Sequence, residues 1–546
     1  MEQFLFYPTE AIRVLEKKTD TQTKTVSRRK NISVEKEIGA FYTPLILAKH
    51  IVNELETIYK SQEKINSRSL KILEPAVGDG VFLNSIKSSK WISNSNITII
   101  DIDEKALENA KRVFADDAYR KWSINAHHSD FFNWKKKHTS GSYDLVIGNP
   151  PWGKKRINDS GYSERALDFI FPCLKLLNSK GCLAFVLPGI WLTGGEHESF
   201  RTKLFSLGRD IRITRLIGEW FEDATFTVDS VVLYIGKPCK KPSLEFSSLQ
   251  KEGMSFIDLY KVEQSIIIDN LEKKIPYVGG GMMRFTSTTN KPNGVKTCKS
   301  RGIIAYAGLK TGKNSKFIFN EKQAEKLVVE ERAIHMQIVE NSHKSNGIDQ
   351  NGLFVLIPYG KGRMTFVDNV STMFSTPEKT YVRWDSEAVS EYLENNGMRN
   401  KNFYWSTEGV NFSGSGRNCP VFRLSTTPVF DADYPYIPCS TRRESLRLLA
   451  LLASPTSLYI SKNFINPSAH FKNQDLANLP IPCPELVSDA AVEIVESIVL
   501  EKKKNNQLFR QKMQSLHHET SCMWELTVEE SEEVWSWYST RYNRES

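Results

Sequence analysis

The 546-residue chain has eight cysteines and no CxxC pair among them, so neither a disulfide framework nor a zinc-binding spacing is written into it. Reduced thiols, no bound metal and a cytoplasmic setting are the expectation. Long apolar runs are also missing. No uncharged stretch approaches the roughly 18 residues a membrane span needs, and the start of the chain, with Glu2 and a short apolar patch, does not read as a signal peptide. There is no large excess of either charge: Lys+Arg 73 against Asp+Glu 64 leaves +9, compatible with a polyanionic partner without requiring one. Aromatics are not scarce, at 11%, which excludes a largely disordered protein. No internal repeat and no GxGxxG fingerprint appear. What remains is an ordinary globular balance over a length that favours two or three domains.

The chain divides by pattern. Residues 1–38 include the basic stretch KKTDTQTKTVSRRK, expected as an exposed N-terminal arm. From 39 to 275 apolar runs alternate with helix-period segments. The expected strands are KILEP (71–75), NITIIDID (96–103), YDLVIGNP (143–150), CLAFVLP (182–188), IRITRLIG (211–218) and SVVLYIG (230–236), with one more if HHSDFF closes a strand. Strands alternating with helices predict an α/β fold built on an open, mostly parallel sheet. Residues 276–302, rich in Gly, Thr, Lys and Pro, are expected as a linker. Residues 303–484 mix short β-like runs, turns and aromatics, and 485–546 has helical spacing throughout.

Four segments carry chemistry. LEPAVGDGVFL (73–83) is a strand, a glycine turn and a helix, and at the first turn of a doubly wound sheet Gly78 and Gly80 would let the backbone approach a ligand. In ITIIDID, Asp101 stands at a strand end where a carboxylate accepts hydrogen bonds from ribose hydroxyls, while Asp103 suits a helix cap. In SDFF (129–132), Asp130 and Phe131 suit either an exocyclic amine and a purine face or a helix cap and core packing. The last, DLVIGNPPWG (144–153), weighs most. Two prolines at a strand end cost ladder hydrogen bonds and serve no packing need. They hold in place the Asn149 Oδ1 and the Pro150 carbonyl, a pair of acceptors able to grip an NH2 group, with Trp152 as an aromatic face for a planar base.

GAFYTP (39–44), LEPAVGDG, IIDID, SDFF and NPPW, in this order, resemble the gamma-class DNA amino-methyltransferases that act on adenine N6. More weakly, GLKTGKNSKFIFN (308–320), FYWSTEGVNFS (403–413) and LLALLAS…FKNQDLANLPIP (448–482) resemble the C-terminal halves of restriction-modification and BREX-type phage-defence methyltransferases. The resemblance implies a Rossmann-like domain dependent on S-adenosyl-L-methionine (SAM) at 39–275, and a target-recognition domain of mixed α/β class at 303–484 followed by C-terminal helices. It puts Tyr42, Thr43 and Pro44 beside the methionine part of SAM. Glu74, Ala76 and Gly78 then line the cofactor, Asp101 binds its ribose, and Asp130 with Phe131 holds its adenine. Asn149, Pro150, Pro151 and Trp152 become the catalytic turn for a flipped base, whose other face stacks on Phe221 or Phe226, with Phe221 favoured.

A base inside a duplex cannot present its amine to a buried methyl donor, so the adenine must swing out, with stacking and the two acceptors offsetting the unstacking cost. Catalysis is then mostly positioning and electrostatics, with no covalent cysteine intermediate. Lys154, Lys155 and Arg156, directly after the turn, suit phosphate contacts. Lys310, Lys313, Lys361, Arg363, Arg399 and Lys401 suit a DNA-facing surface, and Arg442 and Arg443 suit that or a solvated helix. The expected partners are double-stranded DNA and, for any cleavage, a separate restriction or defence subunit. No PD…(D/E)xK nuclease pattern appears beyond a chance fit at Glu272-Lys273-Lys274, and the residues before GAFYTP are too few for a nuclease. The alternatives are N4-cytosine, RNA-base or protein-amide methylation, and a non-catalytic DNA-binding subunit.

Overall fold

A computed structural model of the chain describes residues 43–60, 69–92, 95–114, 122–138, 142–158, 161–218, 220–221, 230–279, 281–288, 291–329, 333–335, 354–360, 380–395, 397, 408–414, 420–425, 429–467, 470–501 and 506–542. Nine strands form the central sheet: β1 (Lys71–Glu74), β2 (Asn96–Asp101), β3 (Ser123–His128), β4 (Tyr143–Gly148), β5 (Leu177–Pro188), β6 (Arg209–Ile217), β7 (Ser230–Pro238), β8 (Ser243–Gln250) and β9 (Phe256–Glu263). Their order across the sheet is β9-β8-β6-β7-β5-β4-β1-β2-β3.

The pairs β1/β2, β2/β3, β1/β4, β4/β5 and β6/β8 are parallel, while β7 runs antiparallel between β5 and β6. The central strands are near-continuous apolar runs because both faces are covered. In β4 every residue after Tyr143 is buried, and β5 is buried from Gly181 to Pro188. The edge strands β3 and β9 alternate or mix polar residues and stay partly exposed.

Helix α1 (Leu45–Lys60) buries Leu47, Ala48, Ile51, Val52, Leu55 and Tyr59, one stripe at helical spacing. α2 (Val81–Ser88) follows the glycine turn, where Gly78 and Gly80 take φ of 51° and 74°, a region in which a side chain is strained. α3 (Glu104–Arg112) follows β2 and α4 (Phe131–Lys136) follows β3. Chain order thus reverses between β1 and β4, and in an open α/β sheet the crevice at that switch point is where ligands bind.

Residues 276–302, expected as a linker, are packed instead. Tyr277, Met282, Met283, Phe285, Val295 and Cys298 are buried, and Lys296–Thr297 pairs antiparallel with Pro480–Ile481. The Gly and Pro content marks turns between buried residues rather than an exposed tether. One apolar cluster runs on from the sheet into Val410, Phe412 and Phe422, and into the helices α5 (Arg442–Leu452), α6 (Pro455–Ile460), α7 (Asp489–Val499), α8 (Asn506–Ser521) and α9 (Val528–Tyr542). A smaller sheet lies apart from it, in the order Ile318–Asn320, Thr380–Arg383, Phe354–Gly360, Ala333–His335. Among the described residues, no helix is long and apolar enough to cross a membrane.

Candidate functional site

The carboxyl ends of β1 and β4 meet at the switch point. A Cβ on Gly148 would lie 3.5 Å from Pro75 Cδ and 3.9 Å from Glu74 Cγ, so the turn after β4 starts against the turn after β1. Asn149 leads that turn, and its side chain is held at both ends. Its Oδ1 accepts a hydrogen bond from the Trp152 indole N–H at 2.8 Å, and its Nδ2 donates to Thr43 Oγ1 at 3.2 Å. Thr43, just before α1, is buried, and Pro44 accepts from the Ala48 amide as the helix begins. Trp152 is only 4% exposed and meets Phe221 edge-on, with centroids 5.4 Å apart and planes at 63°. Four residues from three distant parts of the sequence therefore form one chain of contacts: Thr43, Asn149, Trp152 and Phe221.

The segment after this turn is a hairpin, Lys154–Asn158 against Gly161–Glu164. Glu164 closes it: its Oε1 accepts from the Gly153 amide at 2.6 Å, and the Arg165 amide donates to the Gly153 carbonyl at 2.8 Å. Sequence reasoning missed Glu164, because 13 residues separate it from Pro151 and no local pattern marks it. Lys154, Lys155 and Arg156 lie on the first hairpin strand, and their side chains fall outside the described part.

A second group lines the β1/β2 edge. Asp101 Oδ2 accepts from the Gly78 amide at 2.9 Å, and its Oδ1 accepts from the Asp103 amide at 2.9 Å, which ties the two turns together. Glu74 is 1% exposed, and its Oε2 has no hydrogen-bond partner among the described residues. Burial, with the nearby Asp79 and Asp101 charges, pushes its carboxyl well above the usual carboxylate range. Ala76 is half-buried beside it. Ile102 is 56% exposed between two acids, an apolar surface that sequence reasoning passed over.

Asp103 caps α3, its carboxylate accepting from the Lys105 amide at 2.9 Å. Asp130 caps α4 in the same way, accepting from the Asn133 amide at 3.0 Å, and Phe131 is buried, stacked on Phe169 at 5.1 Å. Of the two uses open to this pair, the structure displays the cap and the core packing. The Ser129 amide donates to the Asp101 carbonyl at 2.9 Å, which keeps the β3 end beside the second group.

Farther off, Lys310 is exposed, whereas Lys313 is ion-paired with Glu391, Arg442 with Glu496 and Arg443 with Asp489. Tyr42, Phe226, Lys361, Arg363, Arg399 and Lys401 lie outside the described residues. No group of three or more His, Cys, Asp or Glu able to hold a metal ion occurs among the described residues.

The arrangement can bind a planar amine-bearing ring beside a cationic ligand. A buried carboxyl whose Oε2 has no partner among the described residues, with two further acids nearby, suits a positive charge, and Asp101 suits hydroxyls. An amide oxygen held at a strand end accepts from an amine.

Residues 81–218 match the family described as Eco57I restriction-modification methylase. Among curated proteins, the chain is similar to the type II methyltransferase M.AccI of Acinetobacter calcoaceticus, 25% identical over 56% of this chain and 57% of the relative. It is similar to the type II methyltransferase M.VspI of Vibrio sp. (strain 343), 29% identical over 31% and 41%. A third relative, the tRNA1(Val) (adenine(37)-N6)-methyltransferase of Vibrio campbellii, is 30% identical over 23% and 53%. The chain spans about half the length of these curated relatives. The matched stretch contains Asp101, Asn149 and Trp152 but not Thr43, Glu74 or Phe221.

Proposed function

We propose that this protein is a site-specific DNA methyltransferase that moves a methyl group from SAM to the N6 amine of an adenine turned out of the duplex. The observation that carries the reading is Asn149, held by Trp152 and Thr43 at the end of β4, beside the acidic crevice of β1 and β2. The type II methyltransferases among the relatives support DNA as the substrate, and the adenine-N6 enzyme among them supports the target atom.

SAM when bound supplies a methyl group made electrophilic by a sulfonium. Glu74 and its acidic neighbours hold a positively charged ligand, Asp101 holds ribose hydroxyls, and Ile102 packs on a planar ring. Pro44 and Ala76 border the same crevice. At the other end, Asn149 Oδ1 and the Pro150 carbonyl accept from the substrate amine, Pro151 stiffens the turn, and Trp152 with Phe221 stacks the base. Two rings that sandwich a base stand roughly 7 Å apart, twice a contact distance of ~3.5 Å. With Trp152 and Phe221 at 5.4 Å and 63°, Phe221 must therefore swing away from Trp152 as a base enters. The basic run Lys154, Lys155 and Arg156 holds backbone phosphates at the mouth, and residues 303–484 read the sequence.

A structured RNA is the second reading, favoured by the tRNA-acting relative. Both are tested by transfer from labelled SAM to duplex DNA and to tRNA, with product nucleosides resolved by mass spectrometry. N6-methyladenine in DNA is expected. N4-methylcytosine, or methyl groups in tRNA alone, would overturn the reading. Asn149→Ala is expected to lose transfer by about 100-fold or more while SAM binding persists, and near-normal turnover would remove Asn149 from the mechanism.

A further inference from the structure

The two ends of an asparagine amide have nearly the same shape and opposite chemistry: one accepts hydrogen bonds and the other donates them. Turned by 180°, Asn149 would present NH2 to a substrate amine, donor against donor. An indole N–H is a donor only, so the 2.8 Å contact from Trp152 Nε1 identifies the facing atom as Oδ1. Thr43 does not discriminate in this way, because its hydroxyl accepts from Nδ2 at 3.2 Å here and could equally donate to an oxygen. Trp152 and Thr43 are 4% and 5% exposed, so neither contact competes freely with water.

We infer that Trp152, through its indole N–H, is a positioning residue that locks Asn149 in the orientation with Oδ1 as the accepting end, while Thr43 anchors the opposite end. This rests on the methyltransferase reading above. A carbonyl oxygen accepts two hydrogen bonds, so the indole bond and a bond from a substrate amine are compatible on Oδ1. The flipped amide sets Nδ2 against the indole N–H and is disfavoured by a lost bond and a donor–donor contact. Stacking a base needs any aromatic ring, whereas locking the amide needs the indole nitrogen.

The test separates those two roles. Trp152→Phe keeps an aromatic face and removes the N–H. The lock predicts that kcat falls by about 10- to 100-fold, while SAM binding and affinity for a duplex carrying 2-aminopurine at the target change little. A ring that only stacks predicts kcat kept, because phenylalanine still offers an aromatic face. Thr43→Val loses the anchor and Thr43→Ser restores it, so activity is expected to fall in the first and return in the second. A second readout needs no turnover. With 15N-labelled tryptophan, the Trp152 indole proton is expected to exchange at least about 10-fold faster in Asn149→Ala than in wild type, and to stay protected in Asn149→Asp.

Unchanged kcat in Trp152→Phe, or equal indole exchange in wild type and Asn149→Ala, overturns the lock. Wild-type protein with a protected indole that methylates no nucleic acid overturns the function it serves, and leaves the lock as geometry.

Discussion

Glu74 is the residue whose state depends most on what binds beside it. Burial and the charges of Asp79 and Asp101 raise its pKa well above the ordinary glutamate value of 4.5, so the folded protein keeps a proton there that the unfolded chain has released. As pH climbs from about 4.5 through the raised pKa, the folded state is therefore progressively destabilised, and the loss is complete above it. A cationic ligand acts in the other direction, favouring the charged carboxylate and expelling the proton. SAM binding is expected to release protons at pH values below the raised pKa, and calorimetry in buffers of different ionisation enthalpy would measure it. Glu74→Gln should abolish that release, and a release unchanged in the variant would remove Glu74 from the site. The site was legible in the sequence where a residue's neighbours in the chain set its role. Asn149 stood out because two prolines follow it, and Asp101 because it ends an apolar strand. The orphaned carboxyl of Glu74 was not legible, since burial comes from contacts across the sheet. Asp130 and Phe131 could be read two ways because a cap and a ligand contact call for the same residue types.

At the scale of elements, the base of the hairpin after Trp152 is tied at Gly153 by a side chain as well as by the backbone. Glu164 holds the Gly153 amide, and Gly153 has φ of 131° with nothing within 4 Å of a Cβ built there, so no packing substitutes for the bond. Glu164→Ala is expected to cut kcat/KM by about 10-fold through a wandering turn, whereas Glu164→Gln, which still accepts from Gly153, should stay within a few-fold of wild type. Steady-state kinetics on both variants decides it, and equal losses would point to charge rather than to the bond. The strands β1, β2 and β4 to β7 were legible because apolar runs broken by turn residues are a local signal, whereas β3, SINAHH, was only a conditional expectation. β8 and β9 were not legible, for SLEFSSLQ and FIDLYKVE mix polar and apolar residues, β9 at the sheet edge and β8 beside it. Composition also misled at 276–302, where glycines and prolines serve turns inside a packed stretch.

Over the whole molecule, the sheet is joined to distant sequence through a buried cation. Lys274, 3% exposed, donates to the Ile465 carbonyl at 3.2 Å and faces Glu272 at 3.3 Å and Asp475 at 3.8 Å. Asn478 and Gln474 also donate to Glu272, and the Tyr277 amide donates to the Asn463 carbonyl. Burial would raise the Glu272 pKa, yet Lys274 and the two amides bring it below the usual value. Lys274→Met strands two acids and is expected to lower unfolding stability by about 3–5 kcal/mol. Adding Glu272→Gln and Asp475→Asn should recover part of that loss in denaturant titrations, and no recovery would mean that packing rather than charge was removed. None of this was visible in the sequence, where Glu272-Lys273-Lys274 stood out only as a chance fit to a nuclease pattern. The separation has a consequence for the ribosome. Lys274 and its carbonyl acceptor are 191 residues apart, and at roughly 5–20 residues per second the acceptor is made on the order of 10–40 s after the lysine. For that interval the nascent sheet carries a cation paired with Glu272 alone, without Asp475 or its carbonyl acceptor, and an uncovered apolar flank, and in that window a chaperone would find this protein.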